Sequence, residues 1–175
     1  VEDQTYPKKC GHLSDESLIS SGEMAGKIAA MADARRHDTL IIARTDAIAV
    51  EGFDAAIDRA GRYIEAGADV LFVEAPRDSG ELAKIADTFK GRVPLLANMV
   101  EGGATPISSA NTLQDMGFDI VIFPGGIVRA LAKTAQEYYT SLRDAGSNKP
   151  FSDRMHDFER TMNLNYFGCL QLILG

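Results

Sequence analysis

Short apolar runs that end in polar residues recur along the chain. They lie within Thr39–Asp46, Asp69–Ala75, Pro94–Met99 and Asp119–Pro124. Runs without polar alternation are typical of parallel strands that are covered on both faces. The four segments begin at residues 39, 69, 94 and 119, which lie 30, 25 and 25 residues apart. This spacing leaves room for one strand, one helix and two loops, so it predicts repeated β/α units.

The segments between these runs carry helix signals. Ser20 and Glu23 have the spacing of a capping box, in which Ser20 is the N-cap and Glu23 reaches back to it. The helix that follows is predicted over about 22–36. Its buried stripe would consist of Met24, Ile28 and Met31.

A second helix is predicted between Asp54 and Glu65, with Ala56, Ala60 and Tyr63 on its buried stripe. Two similar segments, 66–69 and 116–119, place a glycine just past a helix end and an aspartate just before a strand. Glycine there supplies the left-handed conformation that turns the chain back. The repetition indicates that both helices return to the same face of one sheet.

A leading fragment at 1–4 would add a fifth parallel strand. Five strands suit a flavodoxin-like sheet, whereas a (β/α)8 barrel needs eight strands and about 250 residues. Polar residues nevertheless follow the carboxyl end of every strand, and in a barrel those ends meet at one mouth. We therefore predict an α/β fold of the (β/α)8 TIM-barrel type that opens near the fourth strand. Residues 1–150 would be the C-terminal part of the catalytic barrel, and 151–175 a C-terminal helical tail.

Charge and composition exclude several classes of protein. The 175 residues carry 18 Lys+Arg and 25 Asp+Glu, a formal net charge of −7, and lack the basic character of a nucleic-acid binder. No run approaches the roughly 18 apolar residues of a membrane span. Two cysteines are too few for a disulfide scaffold, so a reducing cytoplasm is expected.

The segment Lys8–His12 carries the most reactive chemistry in the chain. Two ammonium groups and an imidazole near the Cys10 thiol would stabilise a thiolate, and Gly11 would let the backbone approach a ligand closely. A loop cysteine beside ordinary solvated lysines is an equally good interpretation of these residues alone. Cys169 lies in an apolar tail and is interpreted as a structural residue.

Charged and amide residues at the strand ends form a second group of candidates. Arg44 follows apolar strand residues and needs an anionic partner, which could be Asp46, Glu74 or a bound carboxylate. A purely structural ion pair is an alternative, and Asn98 could be a satisfied turn amide. For Glu2 and Asp3, spacing alone favours two exposed surface acids over ligands of a hard cation.

Together these motifs resemble the isocitrate lyase/phosphoenolpyruvate mutase superfamily. The resemblance rests on the order and spacing of 2–4, 8–12, 43–46, 72–75 and 97–98, and it extends over about the first 145 residues. It is strongest to the small-substrate lyases of the 2-methylisocitrate and 2,3-dimethylmalate type. It implies a barrel in which Mg²⁺, or Mn²⁺ in its place, assists cleavage of a carbon–carbon bond in a 2-hydroxy di- or tricarboxylate. The product of cleavage would be an enolate-like intermediate.

The resemblance also implies a role for each matching residue. Cys10 would be the catalytic acid/base, and Lys8 would support its loop and add positive potential. Glu2 would act on the metal through water. The substrate-binding residues would be Gly11, His12, Arg44, Glu74, Asn98 and Arg129. The partner is thus a small anionic carboxylate, with no nucleic acid or membrane, and the family resemblance implies a homotetramer with a tail swapped between subunits.

The chain also departs from the family pattern. The resemblance places the principal metal-binding aspartates and a glycine-rich substrate loop before Val1, so the chain would not hold the whole site alone. Met99, Val100 and Glu101 replace serines of the long-chain isocitrate lyases, which disfavours isocitrate as substrate. The tail after Asn163 does not match.

Three alternative functions stay open at this point. One is an oxaloacetate decarboxylase or hydrolase. Another is a phosphonopyruvate mutase or hydrolase, of which the mutase is disfavoured by the Cys-Gly-His of 10–12. The third is an inactive barrel fragment.

Overall fold

A computed structural model describes residues 1–9 and 16–162. The contacts divide the chain into two compact units, Val1–Gly126 and Ile127–Gly175. The predicted boundary at residue 150 stays a prediction. Cys10, Gly11, His12 and Cys169 lie outside the described residues.

The first unit is built on a parallel sheet. In the described part of the chain its strands are β1 (Ile42–Thr45), β2 (Val70–Val73), β3 (Leu95–Asn98) and β4 (Ile120–Ile122), in the order β1-β2-β3-β4. Every pairing is parallel, and neighbours in sequence are neighbours in space. This order requires a crossover after every strand, which is the repeated β/α architecture that the apolar runs predict.

Helices occupy the crossovers of the first unit. They are α1 (Ser21–Ala34), α2 (Ala47–Val50), α3 (Phe53–Glu65), α4 (Ser79–Phe89) and α5 (Ala110–Met116). The second unit holds most of α6 (Gly126–Ala145), a 3-10 helix (Lys149–Arg154) and α7 (Phe158–Met162). No helix in the described ranges is long and apolar enough to cross a membrane.

The leading fragment pairs with β1 less extensively than a full strand would. Glu2 forms a single parallel bridge with Arg44, and the Arg44 amide donates to the carbonyl of Val1 at 2.9 Å. Gln4 then pairs in the antiparallel sense with Leu18. The segment therefore leaves β1 after Glu2, and the expected fifth strand is one bridge beside the sheet.

Two faces of the sheet follow from the register. Arg44 lies opposite Phe72, and Phe72 lies opposite Leu96, so these side chains share one face. The alternate residues, such as Leu71 and Leu95, belong to the large core cluster, which includes residues of α3, α4 and α5. Because side chains alternate along a strand, the polar residues two positions beyond Phe72 and Leu96 continue the face opposite to that core.

The two repeated glycine–aspartate segments form the same structural joint. Gly67 and Gly117 adopt φ values of 105° and 112°, as predicted for glycines that turn the chain after a helix. The Asp69 carboxylate accepts a hydrogen bond from the Ile41 amide at 2.8 Å, and that of Asp119 accepts one from the Leu95 amide at 2.9 Å. Each aspartate thus ties its own strand to the start of the preceding one.

Two details of α1 differ from prediction. The Ser20 hydroxyl accepts from the Glu23 amide at 3.1 Å, but the Glu23 carboxylate pairs with Lys27 at 2.9 Å instead of reaching back. Met24 and Ile28 are fully buried as predicted, whereas Met31 is 43% exposed. Ala32, four residues after Ile28, packs against the core in place of Met31. At 3.6 residues per turn, the spacing of four continues the buried stripe on the side of α1 that contacts α3.

The buried stripe of α3 is confirmed. Ala56, Ala60 and Tyr63 are all fully buried. Tyr63 packs with Met24 and Ile28 in a core cluster between α1 and β1. Small alanines on this stripe let α3 approach the sheet closely. The Tyr63 hydroxyl contacts the polar side chains of Asp3 and Arg59.

Candidate active site

Five polar residues meet at the carboxyl ends of neighbouring strands. They are Glu2, Arg44, Asp46, Glu74 and Asn98, which we call the strand-end cluster. Arg44 and Asp46 come from the end of β1, Glu74 follows β2, and Asn98 ends β3. Parallel strands present their carboxyl ends at one edge, which is where α/β proteins place ligands.

Arg44 is the centre of the strand-end cluster. Its Nε and Nη2 donate to the two carboxylate oxygens of Asp46 at 2.9 and 2.6 Å. Its Nη1 lies 3.5 Å from Glu74, and its Nε lies 3.7 Å from Glu2. Burial alone would lower the pKa of Arg44, but hydrogen bonding to Asp46 and the surrounding carboxylates raise it well above its usual value.

The guanidinium of Arg44 also lies over the ring of Phe72, 4.9 Å from its centroid. This contact holds the guanidinium plane by a cation–π interaction as well as by charge. Of the three anionic partners open to Arg44, the structure assigns its two-pronged contact to Asp46. A bound carboxylate would therefore contact an arginine whose Nε and Nη2 already donate to Asp46.

Asn98 and Glu74 form the next link. The Asn98 Nδ2 lies 3.2 and 3.3 Å from the two carboxylate oxygens of Glu74. The Asn98 Oδ1 is buried and has no hydrogen-bond partner among the described residues. Because a buried acceptor without a donor is costly, this oxygen is suited to a donor from a ligand. Only the Nδ2 of Asn98 contacts Glu74, and its Oδ1 keeps its capacity to accept. The side chain therefore differs from the satisfied turn amide that was the alternative interpretation.

Lys8 reaches the strand-end cluster through Glu2. The Lys8 Nζ lies 2.9 Å from one carboxylate oxygen of Glu2, whose other oxygen faces Arg44. Glu2 is partly buried, and Lys8 is half exposed. The first loop, which leads from Gln4 to α1, therefore brings a second cation to the same edge of the sheet.

Asp3 is not the exposed acid that spacing alone favoured. It is fully buried, and its Oδ2 accepts from the hydroxyls of Thr45 and Tyr63 at 2.8 and 2.7 Å. Its Oδ1 accepts from the Asp46 amide at 3.0 Å. The alternation of side chains turns Asp3 away from Glu2 and towards α3, where it fixes the turn that carries Asp46.

Arg59 completes the surroundings of Asp3. Its Nη1 lies 3.4 Å from Asp3, and its Nε and Nη2 form a two-pronged contact with Glu51 at 2.7 and 2.6 Å. The Arg59 hydrogen bonds lower the pKa of Glu51. Burial and the Asp3 bond raise the pKa of Tyr63, against the opposing effect of Arg59. The phenol therefore stays protonated and acts as a donor to Asp3.

Glu16 is a residue of this region that the sequence analysis missed. Both its carboxylate oxygens are buried and have no hydrogen-bond partner in the described ranges. Burial, followed by the charges of Asp46, Glu74 and Glu2, raises the pKa of Glu16, while Arg44 opposes the change. Glu16 follows no strand, so no local pattern marks it; only the return of the first loop places it near the strand-end cluster.

The remaining predicted site residues are not placed in the strand-end cluster. Cys10, Gly11 and His12 lie outside the described residues, so their roles stay predictions. Arg129 is an exposed residue of α6 in the second unit, and its role also stays a prediction.

The described carboxylates do not form a metal shell by themselves. In residues 1–9 and 16–162 no group of three or more His, Cys, Asp or Glu side chains could hold a metal ion. Asp46 is committed to Arg44, and Glu2 is shared between Lys8 and Arg44. Glu2 could hold a metal through a water molecule. The described side chains do not fit direct coordination of a metal.

Comparison with known proteins decides the family. Residues 1–143 match the family described as phosphoenolpyruvate phosphomutase. The chain belongs to this family. The resemblance to the isocitrate lyase/phosphoenolpyruvate mutase superfamily is thereby confirmed.

Lyases are among the relatives that this chain resembles in sequence. The 2-methylisocitrate lyase of Bacillus subtilis (strain 168) is 44% identical over 164 residues, which are 94% of this chain and 52% of that protein. The chain spans about half the length of the curated relatives it matches.

Solved structures confirm the fold class. A crystal structure of 2,3-dimethylmalate lyase matches with a TM-score of 0.80 and 34% identity, over 85% of this chain and 50% of that one. A phosphonopyruvate hydrolase in complex with oxalate and Mg²⁺ matches with a TM-score of 0.75 and 27% identity, over 98% of this chain and 59% of that one. The parallel α/β fold of the barrel lyases, predicted from the strand pattern, is confirmed.

Proposed function

We propose that the protein carrying this chain is a Mg²⁺-dependent carbon–carbon lyase. Its substrate would be a small 2-hydroxy di- or tricarboxylate of the 2-methylisocitrate or dimethylmalate type. Family membership and the two lyase relatives support this class of reaction. The observation that carries the proposal is the contact chain Arg44–Glu74–Asn98 at the strand ends. It finishes at an amide oxygen that has no hydrogen-bond partner in residues 1–9 and 16–162.

Arg44 and Asn98 would recognise the substrate through polar atoms of this contact chain. Asp46 already holds the Nε and Nη2 of Arg44, so Arg44 would meet a substrate carboxylate through Nη1 and through its charge. The Oδ1 of Asn98 would accept a hydrogen bond from the substrate hydroxyl. Glu74 would fix both groups, since it contacts Arg44 and Asn98 together. Gly11, His12 and Arg129 keep the substrate-binding roles that the family resemblance implies.

The reaction would break the bond between the hydroxyl-bearing carbon and the carbon next to a carboxylate. The hydroxyl passes its proton to solvent and becomes the carbonyl of a 2-oxo acid, and the electrons of the broken bond pass to the second carbon as an enolate. Cys10 would then protonate that carbon, and the basic residues around it would favour a thiol that exchanges protons near neutral pH. Solvent later returns a proton to the Cys10 thiolate, so the reaction releases no net proton. Mg²⁺, when bound, supplies Lewis-acid stabilisation of the enolate charge. Glu2 would face it through water, and Lys8 would hold Glu2.

A hydrolase of the same superfamily is the second candidate. The observation that favours it is the similarity to a phosphonopyruvate hydrolase whose structure holds oxalate and Mg²⁺. Oxaloacetate or phosphonopyruvate would then be the substrate. Both candidates use an anionic carboxylate, and they differ in the bond that is broken.

A substrate panel separates these candidates. The intact gene product is incubated with Mg²⁺ and either 2-methylisocitrate, dimethylmalate, oxaloacetate or phosphonopyruvate. Release of pyruvate is followed with lactate dehydrogenase and NADH, and phosphate and acetate are measured separately. Turnover of the first two substrates alone supports the lyase. Phosphate release from phosphonopyruvate, or turnover of oxaloacetate alone, would replace it with the second candidate.

Two further measurements test the metal and the thiol. Excess EDTA should abolish turnover, and added Mg²⁺ should restore it; full activity in EDTA would remove the metal from the proposal. Cys10→Ser should lower kcat by orders of magnitude while substrate still binds. Cys169→Ser is the matched control and should leave kcat unchanged. Near-normal turnover by Cys10→Ser would refute the acid/base role.

The family resemblance adds a proposal about assembly and location. We infer a cytoplasmic homotetramer, in which the tail from residue 151 onward exchanges between subunits. Light scattering during size-exclusion chromatography of the intact gene product measures the assembly directly. A monomer mass would contradict the tetramer without affecting the proposed chemistry.

A further inference from the structure

Gln4 makes an unusual contact at the beginning of the first loop. Its side-chain Nε2 donates to the carbonyl of Lys9 at 3.0 Å, and its Oε1 accepts from the amide of Lys9 at 2.8 Å. Both lengths are those of ordinary hydrogen bonds. One amide side chain therefore grips the backbone of one residue from both sides, and we call this contact the Gln4 clamp.

The clamp rests on a rigid base. Gln4 is only 6% exposed, and its backbone pairs with Leu18. On either side of it, the carbonyl of Asp3 accepts from the Ile19 amide at 2.9 Å, and the Thr5 amide donates to Ser17 at 2.8 Å. Gln4 therefore has little freedom of its own, so it can hold Lys9 in one position.

The Gln4 clamp lies close to the strand-end cluster. A cavity of about 250 Å³ is lined by Gln4, Lys9 and Glu16 together with other residues of this loop. Glu16 interacts electrostatically with Arg44, Asp46 and Glu74. The residues that hold Lys9 and those that hold Arg44 thus share one neighbourhood.

The peptide bond after Lys9 leads directly to Cys10. Since a peptide group is planar, a hydrogen bond to the Lys9 carbonyl fixes the orientation of the unit from which the next residue departs. We propose that Gln4 is a positioning residue, which orients the Lys9 backbone and thereby sets the approach of the Cys10 thiol to the substrate. This inference rests on the proposed function, in which Cys10 carries the proton.

Only a carboxamide of this length satisfies both groups of Lys9. Glutamate can accept from the Lys9 amide, but it presents a second acceptor to the Lys9 carbonyl. Leucine can make neither bond, and asparagine is one methylene too short. Since a misplacement of about 1 Å can reduce catalysis by about 100-fold, loss of the clamp should reduce kcat by about 10- to 100-fold. The fall in kcat should exceed the rise in KM, because Arg44, Glu74 and Asn98 keep their contacts even when the binding roles proposed for Gly11 and His12 are disturbed.

The test compares Gln4→Glu and Gln4→Leu with Gln114→Glu, an exposed position on α5 that serves as the matched control. The first readout is the rate of Cys10 alkylation by iodoacetamide, measured at peptide level by mass spectrometry, with Cys169 as the internal reference. The second readout is the split between kcat and KM for the substrate found in the panel. Gln4→Glu keeps one clamp bond, so it serves as the test where Gln4→Leu does not fold.

A Cys10 alkylation rate that changes at least fivefold in the Gln4 variants, with Cys169 and the Gln114→Glu protein unchanged, supports the proposal. A folded Gln4→Glu protein with the wild-type Cys10 rate would overturn it. So would a rise in KM as large as the fall in kcat, because that result assigns Gln4 to binding. If Cys10→Ser keeps its turnover while the Gln4 variants change alkylation, the acid/base role fails and the positioning of Cys10 stands.

Discussion

The buried carboxylate of Asp3 offers the sharpest test of how the strand-end cluster is built. The change Asp3→Asn keeps the size of the side chain and removes its charge. The carboxylate accepts from the hydroxyls of Tyr63 and Thr45 and from the Asp46 amide, at 2.7, 2.8 and 3.0 Å, and Arg59 approaches to 3.4 Å. All of these groups donate to the carboxylate, so an amide nitrogen in place of one oxygen removes the acceptor of at least one of them.

The magnitude follows from these contacts. If the amide oxygen takes the place of Oδ2, its nitrogen opposes the Asp46 amide, and the buried N–H that loses its acceptor costs about 1 to 3 kcal/mol. Removing the charge weakens the bonds from Tyr63 and Arg59, although Arg59 keeps its contact with Glu51. We expect a total loss of about 3 kcal/mol, below the upper range for a broken buried ion pair. The unfolding equilibrium constant should rise by roughly two orders of magnitude.

Urea unfolding followed by circular dichroism measures this loss. Asp87→Asn is the control, because it removes the same charge from an exposed pair with Lys90 and should change the free energy of unfolding by less than about 0.5 kcal/mol. Loss of stability should be accompanied by a higher KM, since Asp46 holds Arg44. If Asp3→Asn costs no more than Asp87→Asn, the buried network does not support the turn that carries Asp46.

Three further predictions concern individual positions. Arg44→Lys should raise KM for a dicarboxylate at least tenfold and destabilise the fold, because lysine cannot keep the two-pronged contact with buried Asp46; an unchanged KM in steady-state kinetics would count against the site. Ala75→Gly should cost less than about 0.5 kcal/mol in urea unfolding, because Ala75 has a φ of 57° and glycine relieves that strain; a loss above about 2 kcal/mol would contradict this account. The Arg35 hydrogen bond lowers the pKa of Asp69 below its usual 3.8, so the stabilisation is present above that pH and is lost as the pH falls through the lower folded value. Unfolding midpoints measured across this acid range should therefore depend less on pH in Asp69→Asn, and an identical acid profile would disprove the link.

Periodicity along the chain was enough to predict most of the architecture. Uninterrupted apolar runs can be buried only in a sheet covered on both faces, and the glycine after a helix end has few alternatives to a left-handed turn. The strand-end positions of Arg44, Glu74 and Asn98 followed from the same pattern, since polar residues after parallel strands share one edge. These are local properties, and local physical chemistry determines them.

Only the tertiary structure decided which of these side chains contact one another. Arg44 forms its two-pronged contact with Asp46, and Asp3 is buried against α3, although the adjacent Glu2 belongs to the strand-end cluster. Glu16 reached the same region through the return of the first loop. Such partners are far apart in sequence, and their distances depend on strand register and loop path. No pattern of residue types along a single chain contains that information, because many registers would satisfy the same alternation of apolar and polar positions.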